Sequence, residues 1–309
     1  MAKTLKIKIP GKVIINGSYI VLKGEKATCV TINRYLNVKS FCYESEKCDI
    51  VVNIKNKDSW SLSKGGESYI AKIINAFYKV TGLKITNQII INMEFDDGFF
   101  ITEKIKTGIG SSACILVGIF YTLLYFNKDQ DNSCLLNNDL IISLLKKINR
   151  IISPKSSGAD VMTCLLGSIN YSFSVIEKIS RLGKFLILGS FGKCTSTRDV
   201  LKQCNMEDKK WDRLIQLNYN ILNTRSKHAY EEYLDELSLD TTIVPKKYYE
   251  ILKKTFEFDI HGCGISGAGG EDAVWCILDE CEEVEKYWRR EFDCVIVTEI
   301  IENGLEIYE

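Results

Sequence analysis

Residues 104–114, KIKTGIGSSAC, set a Gly-x-Gly-Ser-Ser turn directly before an apolar helical run. Gly108 and Gly110 carry no Cβ, so successive amides can turn towards one anion without steric penalty. Ser111 and Ser112 fall where the helix opens, and its free N–H groups and positive dipole end favour a polyphosphate. Lys106 adds a full charge at the mouth. The pattern GxxxxGK[ST] is absent, because Gly108 is followed by Ile-Gly-Ser-Ser. By itself such a stretch is equally a glycine hairpin followed by a serine N-cap.

Two further clusters bear on that choice. Pro10-Gly11-Lys12-Val13-Ile14-Ile15-Asn16-Gly17 puts a lysine on a strand just after a Pro-Gly pair. Alone, that lysine reads as a solvated edge residue. Ser266-Gly267-Ala268-Gly269-Gly270-Glu271-Asp272 lies between two expected strands. Alone it is a hairpin loop, although clustered glycines also let backbone amides close on a ligand.

The elements that must position these clusters can be read from periodicity. Residues 5–9, 13–16, 27–41 and 50–54 are rich in β-branched side chains and broken by Pro10-Gly11, Gly17 and Gly24. A helix is expected from about Glu67 to Gly82, with Tyr69, Ile70, Ile73, Ile74, Phe77 and Tyr78 on one face. Residues 85–93 read as a strand, 139–152 as an amphipathic helix ending before Pro154, and 161–166 as a short buried helix. A polar stretch at 176–183 marks a domain boundary, giving domains 1–178 and 179–309. Beyond it come a strand at 185–188, mostly helix over 197–258, strand–loop–strand over 262–278, a charged helix at 280–292 and a last strand at 294–300. Strands and helices mix without regular βαβ alternation, so the expected class is α+β.

Composition narrows the function. Forty basic and forty acidic residues cancel, which leaves no global field for nucleic acid or an anionic membrane. The longest apolar run, 113–126, is too short to span a bilayer. The twelve cysteines are scattered with no CxxC, and only His228 and His261 accompany them, so no zinc spacing exists. Cys114, Cys164 and Cys276 sit in apolar runs and read as small hydrophobes. A reduced, cytoplasmic protein is expected, a monomer or homodimer acting on a small molecule.

In this order and spacing, the three glycine clusters resemble the PGKVxxxG, GLGSSA and SGAGGGD motifs of the GHMP kinases. The resemblance runs from Ile9 to Leu278. Lys106-Thr107-Gly108, Ser157-Gly158-Ala159-Asp160 with Gly167-Ser168-Ile169, and Thr195-Ser196-Thr197-Arg198-Asp199 are most similar to the branch whose acceptor is itself a phosphate monoester. Ser18 and Glu271 depart from the pattern, Glu271 by replacing the last glycine of the third motif. The resemblance implies an N-terminal α/β domain, a C-terminal ferredoxin-like α+β domain and a cleft between them.

It also implies roles. The loop Lys106, Thr107, Gly108, Ile109, Gly110, Ser111 and Ser112 would hold the ATP phosphates, with Ser112 on Mg²⁺ and Lys106 over the β/γ oxygens. Lys12 would reach the transferring group, and Asp160 would lie beside it as base or as orienting charge. Ser156, Ser157, Ser196, Thr197, Ser266, Gly267 and Ala268 would meet the acceptor. Lys155, Lys193, Arg198 and His261 are the candidate counter-charges. A kinase for an alcohol acceptor and a catalytically silent, ligand-sensing relative are the alternatives.

Overall fold

The alternation of buried and half-buried residues carries the first strand straight through its Pro-Gly pair. In the computed structural model β1 spans Lys3–Asn16 and pairs antiparallel with β2 (Ala27–Tyr43). Its register slips between Pro10 and Gly11. The break expected there is therefore an irregularity inside one long strand: Asn33 and Arg34 of β2 have no partner on β1 opposite Pro10-Gly11, which accommodates the proline's missing N–H. The structure describes residues 2–45, 48–57, 59–63, 65–83, 85–102, 105–127, 138–193, 208–267 and 269–308.

Helix α1 (Tyr69–Thr81) starts where the Ser68 hydroxyl accepts the Ala71 amide at 3.1 Å and stops at the left-handed Gly82. It connects β3 (Asp49–Ile54), with its short partner β4 (Trp60–Ser61), to β5 (Gln88–Phe95). Strands β3 and β5 pair in parallel, as a helical crossover requires. Helices α2 (Ser111–Phe126), α3 (Asn138–Ile152) and α4 (Ala159–Leu166) follow, and α2 and α4 pack on β1 and β2. Buried α2 residues such as Cys114, Val117 and Phe120 seal that layer.

The chain then forms the hairpin β6 (Ile169–Tyr171) and β7 (Ile176–Lys178), then β8 (Phe185–Ser190). Among the described residues the next helices are α5 (Asp208–Thr224), α6 (Lys227–Ser238) and α7 (Lys246–Thr255). Strands β9 (Gly262–Ile265) and β10 (Val274–Leu278), helix α8 (Glu282–Glu291), β11 (Cys294–Ile301) and the brief β12 (Glu306–Ile307) complete it. The α+β class holds. The hydrogen-bonded order is β4-β3-β5-β2-β11-β8-β10-β9, with β12 added to β1.

Strand β11 is the joint. Its first part pairs with β8, and Ile300 and Ile301 pair with Ile32 and Thr31 of β2. Polar groups pin this crossing: the Ser168 hydroxyl donates to the Ile301 carbonyl at 2.7 Å and accepts the Thr31 amide at 3.0 Å.

Candidate active site

The glycine loop is built against β1. The Lys12 amide donates to the Ile109 carbonyl at 2.9 Å, and a Cβ on Gly11 would meet that carbonyl oxygen at 3.1 Å. Gly108 and Gly110 both take left-handed backbone, with φ of 83° and 91°. Gly110 is the N-cap of α2, so the free amides of the first turn face outwards. The Lys106 ammonium donates to the Ser112 hydroxyl at 3.1 Å. Lys106, Gly108, Gly110, Ser111 and Ser112 thereby line a cleft of about 530 Å³.

Two residues expected on that loop turn inwards instead. The Thr107 hydroxyl donates to the Gly98 carbonyl at 2.6 Å, and Ile109 is buried in the core. Their part is to anchor the loop. The Tyr69 hydroxyl braces it from behind, donating to the Ser112 carbonyl at 3.2 Å. Burial, and then the nearby Asp160 charge, push that hydroxyl's pKa up to about 12.

On the floor of the cleft the Lys12 ammonium lies 2.7 Å from Asp160 Oδ1. Lys12 is only 4% exposed, whereas the Asp160 side chain is 41% exposed towards the cleft. Burial alone would lower the Lys12 pKa. The charge of Asp160 and its hydrogen bond outweigh burial, and the ammonium is held above its ordinary value of 10.5. Asp160 sits in the first turn of α4 and Gly158 is the cap. The helix's positive end therefore favours the same carboxylate. Cys114 and Cys164 lie beneath, their sulfurs 3.7 Å apart, and burial raises the Cys164 thiol well above its ordinary value. Both are packing groups, as their apolar sequence context implies.

The opposite wall is rich in serine. Ser153, Lys155, Ser156 and Ser157 line it with Ile152 and Pro154. The Ser156 and Ser157 hydroxyls accept the amides of Gly158 and Ala159 at 3.2 and 3.3 Å, which leaves their own protons to donate. Ser266, Gly267 and Asp272 close the cleft from the β9–β10 loop, and Ser18, Tyr19 and Leu22 from the end of the first motif.

The counter-charges divide. Lys155 lines the cleft, whereas Lys193 and His261 are not among its walls. Lys193 is drawn to Glu271 at 2.6 Å. His261 pairs with Asp279 at 2.9 Å, at the start of β9, while the cleft meets the residues beyond its end. An expectation that His261 meets the acceptor is corrected accordingly: a strand of roughly 15 Å separates it from Ser266. Ser196, Thr197, Arg198 and Ala268 lie outside the described residues. Sequence reasoning gave no role to Tyr19, Ser153 or Asp272, although Asp272 closes the third motif and its carboxylate was visible there.

Among the described residues no cluster of three or more His, Cys, Asp or Glu could cage a metal. The donor set is instead one hydroxyl, Ser112, at a helix start with free backbone amides. That fits Mg²⁺, which keeps most of its water and takes its other ligands from phosphates. No helix among the described residues is long and apolar enough to cross a membrane.

No family model matches the chain. It is 25% identical to phosphomevalonate kinase of Saccharolobus solfataricus, over 93% of this chain and 94% of that one. The solved structure of Methanococcus jannaschii mevalonate kinase superposes with a TM-score of 0.74 at 18% identity, covering 97% of this chain and 99% of that one. Streptococcus pneumoniae phosphomevalonate kinase, solved with phosphomevalonate and AMPPNP, superposes at 0.69 and 14% identity, covering 97% and 100%. The chain therefore shares the fold of these solved kinases and has a sequence likeness to one kinase over nearly its whole length. The particular likeness in sequence is to phosphomevalonate kinase.

Proposed function

We propose that the chain transfers the γ-phosphoryl group of ATP to phosphomevalonate, giving diphosphomevalonate for isoprenoid synthesis by the mevalonate pathway. The observation that carries this reading is the ion pair of buried Lys12 with cleft-exposed Asp160, in one cleft with the glycine loop and with Lys155, Ser156 and Ser157. Residues 1–178 and 179–309 are the two domains of this reading, and the cytoplasm is its setting.

Phosphoryl transfer needs positioning and charge neutralisation more than covalent chemistry. The amides of Gly108–Ser112 and the Lys106 ammonium would hold the ATP phosphates, and Ser112 would hold Mg²⁺, whose charge neutralises the β/γ oxygens when bound. The acceptor phosphate is mostly dianionic at neutral pH, since its second pKa is near 6. Its oxygen needs no base, and Asp160 then serves by keeping Lys12 charged and aimed at the transferring group. Lys155 and the serine hydroxyls would neutralise and orient the acceptor.

A second reading has its own support. Asp160 is open to the cleft and could accept a proton, which an alcohol acceptor such as mevalonate requires. ADP release measured in parallel with mevalonate, phosphomevalonate, homoserine and galactose separates the two. Turnover with phosphomevalonate alone is expected; faster turnover of mevalonate overturns the substrate assignment.

A further inference from the structure

Strand β3 ends in a tight turn. The Lys57 amide donates to the Ile54 carbonyl at 3.0 Å, and Asn56 between them takes left-handed backbone with φ of 63°. Asparagine is among the few side chains that accept that conformation readily. The turn carries the Lys57 ammonium over the face of the Phe100 ring, 4.0 Å from its centre. That ring is itself held in place: Phe95, at the end of β5, meets it edge-on, with centroids 5.2 Å apart and planes at 84°. A cation over an aromatic face is attracted without being neutralised. Among the described residues no carboxylate is paired with Lys57.

Phe100 belongs to the hairpin that feeds the glycine loop. It bridges Lys106 in antiparallel pairing, flanked by the Ile101 amide on the Ile105 carbonyl at 2.8 Å and the Thr107 amide on the Phe99 carbonyl at 3.2 Å. Residues paired in this way project their side chains side by side on one face. Phe100 therefore sets Lys57 beside Lys106, and the two ammonium groups feel each other. Burial, and then the Lys106 charge, lower the Lys57 pKa from its ordinary value of 10.5. Cations brought together in this way repel, and an anion reaching both relieves the repulsion.

Three lysines thus stand in order. Lys12 lies on the floor, where a Cβ on Gly110 would meet its side chain at 2.8 Å. Lys106 holds the hydroxyl of Ser112, the second residue of α2. Lys57 lies past Lys106, beyond the residues that wall the cleft. A nucleoside triphosphate with its transferring end at Lys12 runs outwards past Lys106, and the phosphate attached to the ribose comes last. We infer that Lys57 binds that phosphate, the α-phosphate of ATP, so that Lys12, Lys106 and Lys57 form a row of one cation for each phosphate. The Phe100 ring holds the long side chain in place beforehand, so less conformational freedom is lost when the nucleotide arrives. The inference rests on the proposed kinase reading and adds to it the residue that grips the outer end of the polyphosphate.

The test measures binding of ATP, ADP, AMP and adenosine to the full-length protein and to Lys57→Met and Lys57→Arg, by isothermal titration calorimetry, with competition against ATP for the weaker ligands. Lys57→Met keeps an apolar stem and removes the charge. Its Kd for ATP, ADP and AMP is expected to rise by a common factor of about three- to tenfold, between an exposed ion pair and a hydrogen bond to a charged group. Adenosine affinity should not change. Lys57→Arg keeps the charge and stacks on the ring, and should stay within about twofold of the unmodified protein. Because Lys57 is exposed, the loss in Lys57→Met should shrink as salt is raised. In turnover, the KM for ATP should rise with kcat unchanged, as for binding shared by ground and transition states. Nucleotide affinities that stay unchanged in Lys57→Met overturn the inference. An equal loss for adenosine puts the lysine on the base or ribose and overturns it too, as does a loss for ADP that AMP does not share. The kinase reading is decided separately: nucleotide binding without turnover of phosphomevalonate removes that substrate assignment and leaves the Lys57 comparison intact. A protein that binds no nucleotide overturns both.

Discussion

Replacing Gly110 by alanine tests how the phosphate loop governs the floor of the cleft. Two costs can be separated. Gly110 has φ of 91°, and an alanine held in left-handed backbone costs about 1–2 kcal/mol. The new Cβ would also fall 2.8 Å from Lys12 Cε and 3.0 Å from its Cγ. Lys12 is buried to 4% exposure, so its side chain yields by shifting the ammonium from its 2.7 Å contact with Asp160. A displacement of about 1 Å at a reacting group is worth roughly 10²-fold in rate. Gly82→Ala is the control: φ is 69°, nothing lies within 4 Å of the added Cβ, and the residue caps α1 far along the chain from the motifs. Both variants should lose roughly 2–8 °C in Tm, taking the about 2–4 °C per kcal/mol that holds for domains of about 150–250 residues. Only Gly110→Ala should lose kcat, by roughly 10²-fold at saturating ATP and acceptor. Differential scanning calorimetry and initial rates read the two effects. Equal kcat in both variants would refute the argument that the loop positions Lys12.

Lys106→Ala should raise the KM for ATP and lower kcat together, because its charge meets phosphate in ground and transition states alike; a rise confined to the acceptor's KM would put Lys106 on the wrong substrate. Lys12→Ala should cost about 10²–10⁴-fold in kcat. Asp160→Asn should cost less, and the double variant far less than the product of the two, as measured by a kinetic double-mutant cycle. The pH–rate profile should show an acid limb near 6 from the acceptor's second ionisation, unmoved in Asp160→Asn. On the alkaline side, the folded Lys12 pKa is raised, so its charge is present below 10.5 and lost only as pH rises through the folded value. No alkaline limb from Lys12 should therefore appear below about pH 10.

The motifs were legible because each depends on local chemistry that the letters carry. Left-handed glycines, a serine-opened helix and a lysine one residue after Pro-Gly are short-range features. The α1 helix was equally plain, from its apolar face and the Gly82 stop. What escaped reading was non-local. Pro10-Gly11 looked like a break between strands, but 2.9 Å from Ile109 to the Lys12 amide shows the pair pressed against a loop almost a hundred residues on. Lys193 and His261 seemed free to meet an anion; Glu271, which claims Lys193, comes from a distant segment, and Asp279 reaches His261 from across the β9–β10 pairing. Thr107 and Ile109 share a motif with neighbours that line the cleft, and only the packing of Gly98 and β1 turns them inwards. Pattern locates a motif; tertiary neighbours decide which of its side chains face the ligand.

The junction of β2 with β11 has a consequence for how the chain reaches its native state. The Thr31 hydroxyl donates to the Ile301 carbonyl across 270 positions of sequence. Local pieces such as the β1–β2 ladder can form early, because little chain entropy is spent in closing them. The edge of β2 that receives Ile300 and Ile301 stays bare until β11 arrives, and an unpaired edge is where strands of separate molecules associate. The same pairing that unites the sheet is thus its most delayed step. The interval before it closes is when the chain most depends on dilution or a chaperone to avoid aggregation.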